Sequence, residues 1–171
     1  MAEPSWPRRS YEAGVLLIPL DAAARAWADA RAGTGLAGIT VADELLLDSQ
    51  QRFEPEPLPA TGEGRAVSSP VERAVHEADV VVLLAHDLPE VDRTAVGVIG
   101  DAARSAGKLL GAVLVSPGAR WEDPAAHLAV AAIRESADNV VILKDDAFVT
   151  AFLQVLRGGA RDGELTGGAA R

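Results

Sequence analysis

Apolar residues along the chain gather in short unbroken runs, and between the runs they recur at helical spacing. Nearly every side chain is apolar across Asp79–Ala85, Leu109–Val115 and Asn139–Leu143. A strand without polar alternation is one covered on both faces, so these runs predict strands sandwiched between helices. Gly14–Leu20 predicts a further buried strand, with Pro19 at its exit where a missing N–H does least harm. Gly38–Ala42 predicts a short one.

The intervening stretches carry helix signals. Ala22–Ala32 follows Asp21 as N-cap and stops at Gly33-Thr34-Gly35. Asp43–Gln51 predicts a helical turn with Leu45 to Leu47 inward. Val71–Ala78 starts from Ser69-Pro70. Glu90–Ala106 predicts a helix whose buried stripe is Val91, Ala95, Val98, Ile99, Ala102 and Ala106, stopped by Gly107. Pro124–Ala137 follows the cap Asp123, with Leu128, Ala129, Ala132 and Ile133 inward. Asp146–Arg157 places Phe148, Val149, Phe152, Leu153 and Leu156 on one face.

Strands alternating with helices imply right-handed crossovers and a three-layer α/β fold. The sheet is mostly parallel and flanked by helices, in the Rossmann-like manner. Residues 1–12 read as a flexible N-terminal arm, 13–157 as a single α/β domain and 158–171 as a disordered glycine-rich tail. The proline- and glycine-dense segment 54–70 reads as a surface loop.

Composition narrows the chemistry. Aromatics are only 4% of the chain, so Ala, Val and Leu must fill the core. A net charge of -9 argues against a nucleic-acid surface and against an anionic membrane. Cysteine is absent, which excludes disulfides, thiolate catalysis and cysteine-based metal sites. No apolar run approaches the ~20 residues of a membrane span, and no signal-peptide pattern opens the chain. The expectation is a cytoplasmic protein, and its Ala, Gly, Arg and Asp usage resembles that of a high-GC bacterium.

In parallel sheets the ligand zone lies beyond the carboxyl ends of the strands. Those ends carry Asp21, Asp43, His86-Asp87, Ser116-Pro117 and Asp145-Asp146. Asp21, His86, Asp87 and Asp145 form the candidate pocket rim. His86-Asp87 fits either a general base with an orienting acid or a plain loop pair beside a helix start. Asp145-Asp146 fits either a divalent-ion site shared with Asp21 or Asp87, or a helix cap. His76 and His127 stand alone, without metal-ligand spacing. Trp121 and Trp6 are the interface candidates, since exposed tryptophan anchors protein contacts; Trp121 fits equally a cap on the core edge.

The wording of the core resembles a known family. Glu77-Ala-Asp-Val-Val-Val-Leu-Leu-Ala85, a helix ending Ala-Ala-Arg-Ser-Ala-Gly107, Leu-Leu-Gly-Ala-Val-Leu-Val115 and Ala-Ile-Arg-Glu-Ser-Ala-Asp138 followed by Val-Val-Ile-Leu-Lys-Asp-Asp146 resemble the nucleotide-binding domain of the tubulin/FtsZ GTPases. Gly35-Leu-Ala-Gly-Ile39 and Val41-Ala-Asp43 resemble its second strand and following loop. The likeness spans residues 13 to 156. It implies the tubulin/FtsZ type of fold, but the family's phosphate-binding residues are replaced. Its first glycine run falls on Pro19-Leu20-Asp21-Ala22-Ala23-Ala24. Its Gly-Gly-Gly-Thr-Gly-Thr-Gly loop falls on Leu88-Pro89-Glu90-Val91-Asp92-Arg93-Thr94. A phosphate cradle needs close-approaching amides and no nearby carboxylates. Like charges at 4 Å repel by about 4 kcal/mol at an effective dielectric near 20. The family's base-contacting asparagine matches Asp145, its basic residues shrink to Arg120, and the chain stops where the family's second domain would follow.

The expected function is that of a non-catalytic FtsZ-like protein that has lost GTP binding and hydrolysis. It would act through protein–protein interaction as a scaffold, regulator or assembly subunit, with a homo-oligomer among the options. No cofactor and no metal are expected. The alternatives are a small-molecule or metal-dependent enzyme or binder using the acidic strand ends, and a weak guanine-nucleotide binder.

Overall fold

The computed structural model describes residues 12–42, 69–116 and 120–158. The strands are β1 (Val15–Pro19), β2 (Ile39–Val41), β3 (Val80–Ala85), β4 (Leu109–Val115) and β5 (Asn139–Leu143). The helices are α1 (Ala22–Asp29), α2 (Pro70–Glu77), α3 (Arg93–Ser105), α4 (Pro124–Ser136) and α5 (Ala147–Arg157). One five-stranded, all-parallel sheet runs in the order β2-β1-β3-β4-β5. The chain is a three-layer, Rossmann-like α/β fold, as the alternation of strand and helix predicts.

The chain winds left from β1 to β2, then returns past β1 to β3 and continues right to β5. Right-handed crossovers therefore place helices on opposite faces. Helices α2, α3 and α4 bury Val71, Val75, Val96, Ile99, Ala129 and Ile133 against Val81, Leu83, Leu110 and Leu114. On the other face, α1 and α5 bury Trp27, Ala28, Val149 and Leu153 against Val15, Leu17, Val82 and Val113. At eight residues α1 is too short to persist alone in water, so its packed face holds it. The last helix is also tied to the first strand. Ala13 N–H donates to the Arg157 carbonyl at 2.8 Å, and the Arg157 guanidinium pairs with Glu12 at 2.8 Å.

Several expectations need correction. The third helix begins at Arg93, after a 3₁₀ turn over Leu88–Glu90. Its N-cap is Asp92, whose carboxylate accepts from Thr94 and Ala95 amides at 2.8 and 3.3 Å. Its buried stripe is Val96, Ile99, Gly100 and Ala103, so the helix is rotated relative to the expected face. Gly100 lies against Ser136 of α4, where an added Cβ would meet the Ser136 Cβ at 2.8 Å. The rotation lets the two helices approach closely at that glycine. In α4, Leu128 is 52% exposed, and the buried positions are Ala126, Ala129 and Ile133. In α5, Phe148 is 60% exposed and only Val149 and Leu153 are fully inside.

The run Asn139–Leu143 is not buried on both faces. As β5 it forms the edge of the sheet, and Ile142 is 59% exposed. The Asp43–Gln51 turn, Trp6, the loop over 54–68, the arm before Glu12 and the tail after Gly158 lie outside the described residues.

Candidate functional site

Crossing directions decide where the ligand zone falls. β1 leads to β2 on one side and β3 carries the chain to β4 on the other, so the switch point lies between the carboxyl ends of β1 and β3. In doubly wound folds this crevice holds the anionic part of a ligand. Backbone amides at the first helix N-terminus face it.

Asp21 fills it. The residue follows β1 and caps α1, as the sequence predicts. Its Oδ1 accepts from the Ala24 amide at 2.8 Å. Its Oδ2 reaches across to the end of β3 and accepts from the His86 amide at 2.7 Å and the Asp87 amide at 3.1 Å. The side chain is only 7% exposed, the one buried charged residue among the described residues. Three amides that could converge on a phosphate oxygen converge instead on the protein's own carboxylate.

The other helix N-termini at this edge follow the same pattern. Asp92 occupies the first amides of α3, Asp123 accepts from Ala125 at 2.8 Å at the start of α4, and Asp145 accepts from Ala147 at 2.8 Å at the start of α5. That last amide, together with a hydrogen bond to Asp146, holds the Asp145 carboxyl below the usual range. At α2 the Ser69 hydroxyl accepts from Glu72 N–H while the Glu72 carboxylate accepts from Ser69 N–H, a reciprocal capping box. An open hollow of about 530 Å³ lies between the starts of α3 and α4, where the resemblance places the phosphate loop. Its lining includes Pro89, Asp92, Thr94, Ala125 and Leu128. The Thr94 and Ala125 amides at its rim are already taken by Asp92 and Asp123.

His86 and Asp87 part company. Successive side chains at a strand end point to opposite faces. Asp87 turns to Arg120, whose Nε and Nη2 lie 2.7 and 2.6 Å from its Oδ1. His86 turns to the α1 side, with its ring 6.2 Å from Trp27. The general-base and orienting-acid arrangement is not assembled. Asp146 faces Arg31 at 3.8 Å and makes no capping bond. Among the described residues no three acids or histidines gather as a metal site. Trp121 is half-buried on the core beside α3 and α4. Ser116 gives its amide to Leu143 at 2.8 Å. His76 and His127 are exposed on α2 and α4, and Asp43 and Pro117 lie outside the described residues.

No protein-family model matches the chain, and no curated protein matches its sequence.

Sequence reasoning noted Trp27 with the other tryptophans but not its pairing with Arg31. Trp27 is buried, and the Arg31 guanidinium sits 4.6 Å above its ring. The signal was available as an i, i+4 pair on the expected helix Ala22–Ala32, although α1 ends at Asp29 and Arg31 lies in the turn after it. Trp27 Nε1 and His86 Nε2 are both buried without a hydrogen-bond partner. Burial pushes the His86 imidazole below its ordinary value. Asp21 and Asp146 pull it back up, and Arg31 adds to the depression.

The unfolded chain therefore binds this proton more readily than the folded one. The His86 contribution to stability is full above the unfolded value near 6.5 and is lost as pH falls below it toward the folded value. Urea denaturation at pH 7.5 and 5.5 tests this. The wild type should lose more stability on acidification than His86→Gln, and equal losses would refute the assignment.

Proposed function

We propose that the protein is a non-catalytic member of the tubulin/FtsZ lineage whose nucleotide site is permanently occupied by its own side chain. It works by binding other protein, as a scaffold, regulator or assembly subunit. The observation that carries this reading is the Asp21 carboxylate. It uses the amides of Ala24, His86 and Asp87 that a phosphate would need. The caps at Asp92, Asp123 and Asp145 extend the argument along the whole edge. A triphosphate approaching it meets carboxylates at close range, and magnesium would neutralise charge without freeing an amide.

The test is thermal denaturation with GTP, GDP and ATP, with and without magnesium, beside an assay for phosphate release. A ligand present at 100 times its Kd stabilises by about 2.7 kcal/mol. In a domain of this size that raises Tm by roughly 5–10 °C. At 1 mM nucleotide no such shift and no turnover are expected. Micromolar affinity for any of the nucleotides would overturn the proposal.

A further inference from the structure

We propose that two copies of the chain join through their β5 edges, antiparallel, about a twofold axis at Val141. The inference deepens the function proposed above by naming the partner, and it rests on that reading.

β5 is the outermost strand on its side of the sheet. Its outward backbone groups have no ladder among the described residues. Proteins blunt such edges with charge, proline, bulges or very short strands. The opposite edge follows this rule, because β2 is only three residues long. β5 does not. Asn139–Leu143 holds no charge and no proline, and it pairs with β4 without a break from Gly111↔Asn139 to Val115↔Leu143. Apolar side chains stand exposed beside it. Ile142 projects on the α4 side, and Phe148 and Val155 lie on the uncovered side of α5.

The strand and its flanks read Asp138-Asn-Val-Val-Ile-Leu-Lys144. The segment complements itself when reversed. With Val141 opposite Val141 of the second copy, Val140 falls opposite Ile142, and Asp138 falls opposite Lys144. Residues directly opposite in an antiparallel pair share a face and touch. Each twofold-related half then contributes an apolar pair and an ion pair. Asp138 and Lys144 are both exposed. The Asp138 Oδ2 accepts from the Leu110 amide at 2.9 Å, which leaves Oδ1 for the lysine. Slipping by two residues in either direction separates Asp138 from Lys144, so charge fixes the register. The contact is isologous and closes on itself, giving a dimer with one continuous sheet.

The chain has no cysteine, which permits a register-specific test on the full chain. In Val141→Cys the two thiols would sit on the axis. Opposed Cα atoms about 4.5–5.5 Å apart lie within disulfide reach. In Leu143→Cys each thiol would face Asn139 of the other copy, away from its equivalent. Under mild oxidation at low protein concentration Val141→Cys should cross-link at least tenfold faster than Leu143→Cys. The unmodified chain should sediment as a concentration-dependent dimer. Lys144→Glu sets like charges opposite one another and should weaken the dimer at least tenfold, with an unchanged thermal melt at concentrations where both chains are monomeric. A monomer at all concentrations, or equal cross-linking at both positions, would overturn the dimer. A monomer that still ignores nucleotide sinks this inference alone, whereas a dimer that binds GTP sinks the proposed function alone.

Discussion

Asp21→Ala is expected to lower stability by about 3 kcal/mol, the largest effect of any single polar substitution in this protein. Loss of a helix cap alone costs about 1 kcal/mol. The remaining cost comes from the His86 and Asp87 amides. They lose their acceptor, and a buried unsatisfied amide costs roughly 1–3 kcal/mol. Both residues are half-buried, so water can reach the site and the lower part of that range applies. For a domain of this length the loss corresponds to a Tm fall of roughly 6–12 °C. Asn at this position keeps one acceptor oxygen but turns an amide toward the strand-end donors, so Asp21→Asn should fall between wild type and Asp21→Ala. Chemical denaturation measures all three. The vacated amides should also respond to anions, so phosphate should stabilise Asp21→Ala more than wild type. A loss below 1 kcal/mol, with no difference in phosphate response, would show that the carboxylate is an ordinary surface cap.

Gly100→Val should cost about 3 kcal/mol by forcing α3 away from α4. The glycine permits a close approach of α3 to α4. A Cβ there would meet the Ser136 Cβ at 2.8 Å and the Cα at 3.4 Å. Neither atom can swing aside, since both belong to the rigid part of a helical residue. Gly100→Ala is milder. Alanine gains up to about 1 kcal/mol in helix propensity over glycine, which offsets part of an overpacking cost of about 1–3 kcal/mol. Ser136→Gly removes the closest obstacle, so the double variant Gly100→Ala, Ser136→Gly should be more stable than the two single losses added together. Additivity within about 0.5 kcal/mol would mean the two sites do not touch.

Local grammar was the legible part. Asp21, Ser69-Pro70 and Asp123 mark helix starts by short-range capping chemistry, and the structure places caps at each. The apolar runs mark strands, and their alternation with helices gives the layered class. Where the reading slipped, a longer-range choice decided. Between Val91 and Ala106 alanines, valines and glycines are spread around the helix. Several faces fit the apolar spacing, and the close approach at Gly100 selects among them. The uniform run of β5 looks like any covered strand, because edge position belongs to sheet order and not to the run itself. The cap at Asp21 was readable, but its second task was not. Its partners lie 65 and 66 residues away, brought near only when β3 pairs with β1. His86 and Asp87 are neighbours in sequence and face opposite layers, which strand geometry predicts once the strand end is known.

The internal carboxylate at the switch point has a kinetic corollary. A guest molecule comes and goes, and its departure can serve as a clock. A group bonded to the backbone cannot diffuse away, and its local concentration exceeds what a free anion in the surroundings can match. On the proposed function, such a centre has no loaded and empty forms to alternate between. Under the same proposal, any assembly of this chain would be timed by how much of it is made, and by the edges it leaves open, rather than by turnover of a fuel.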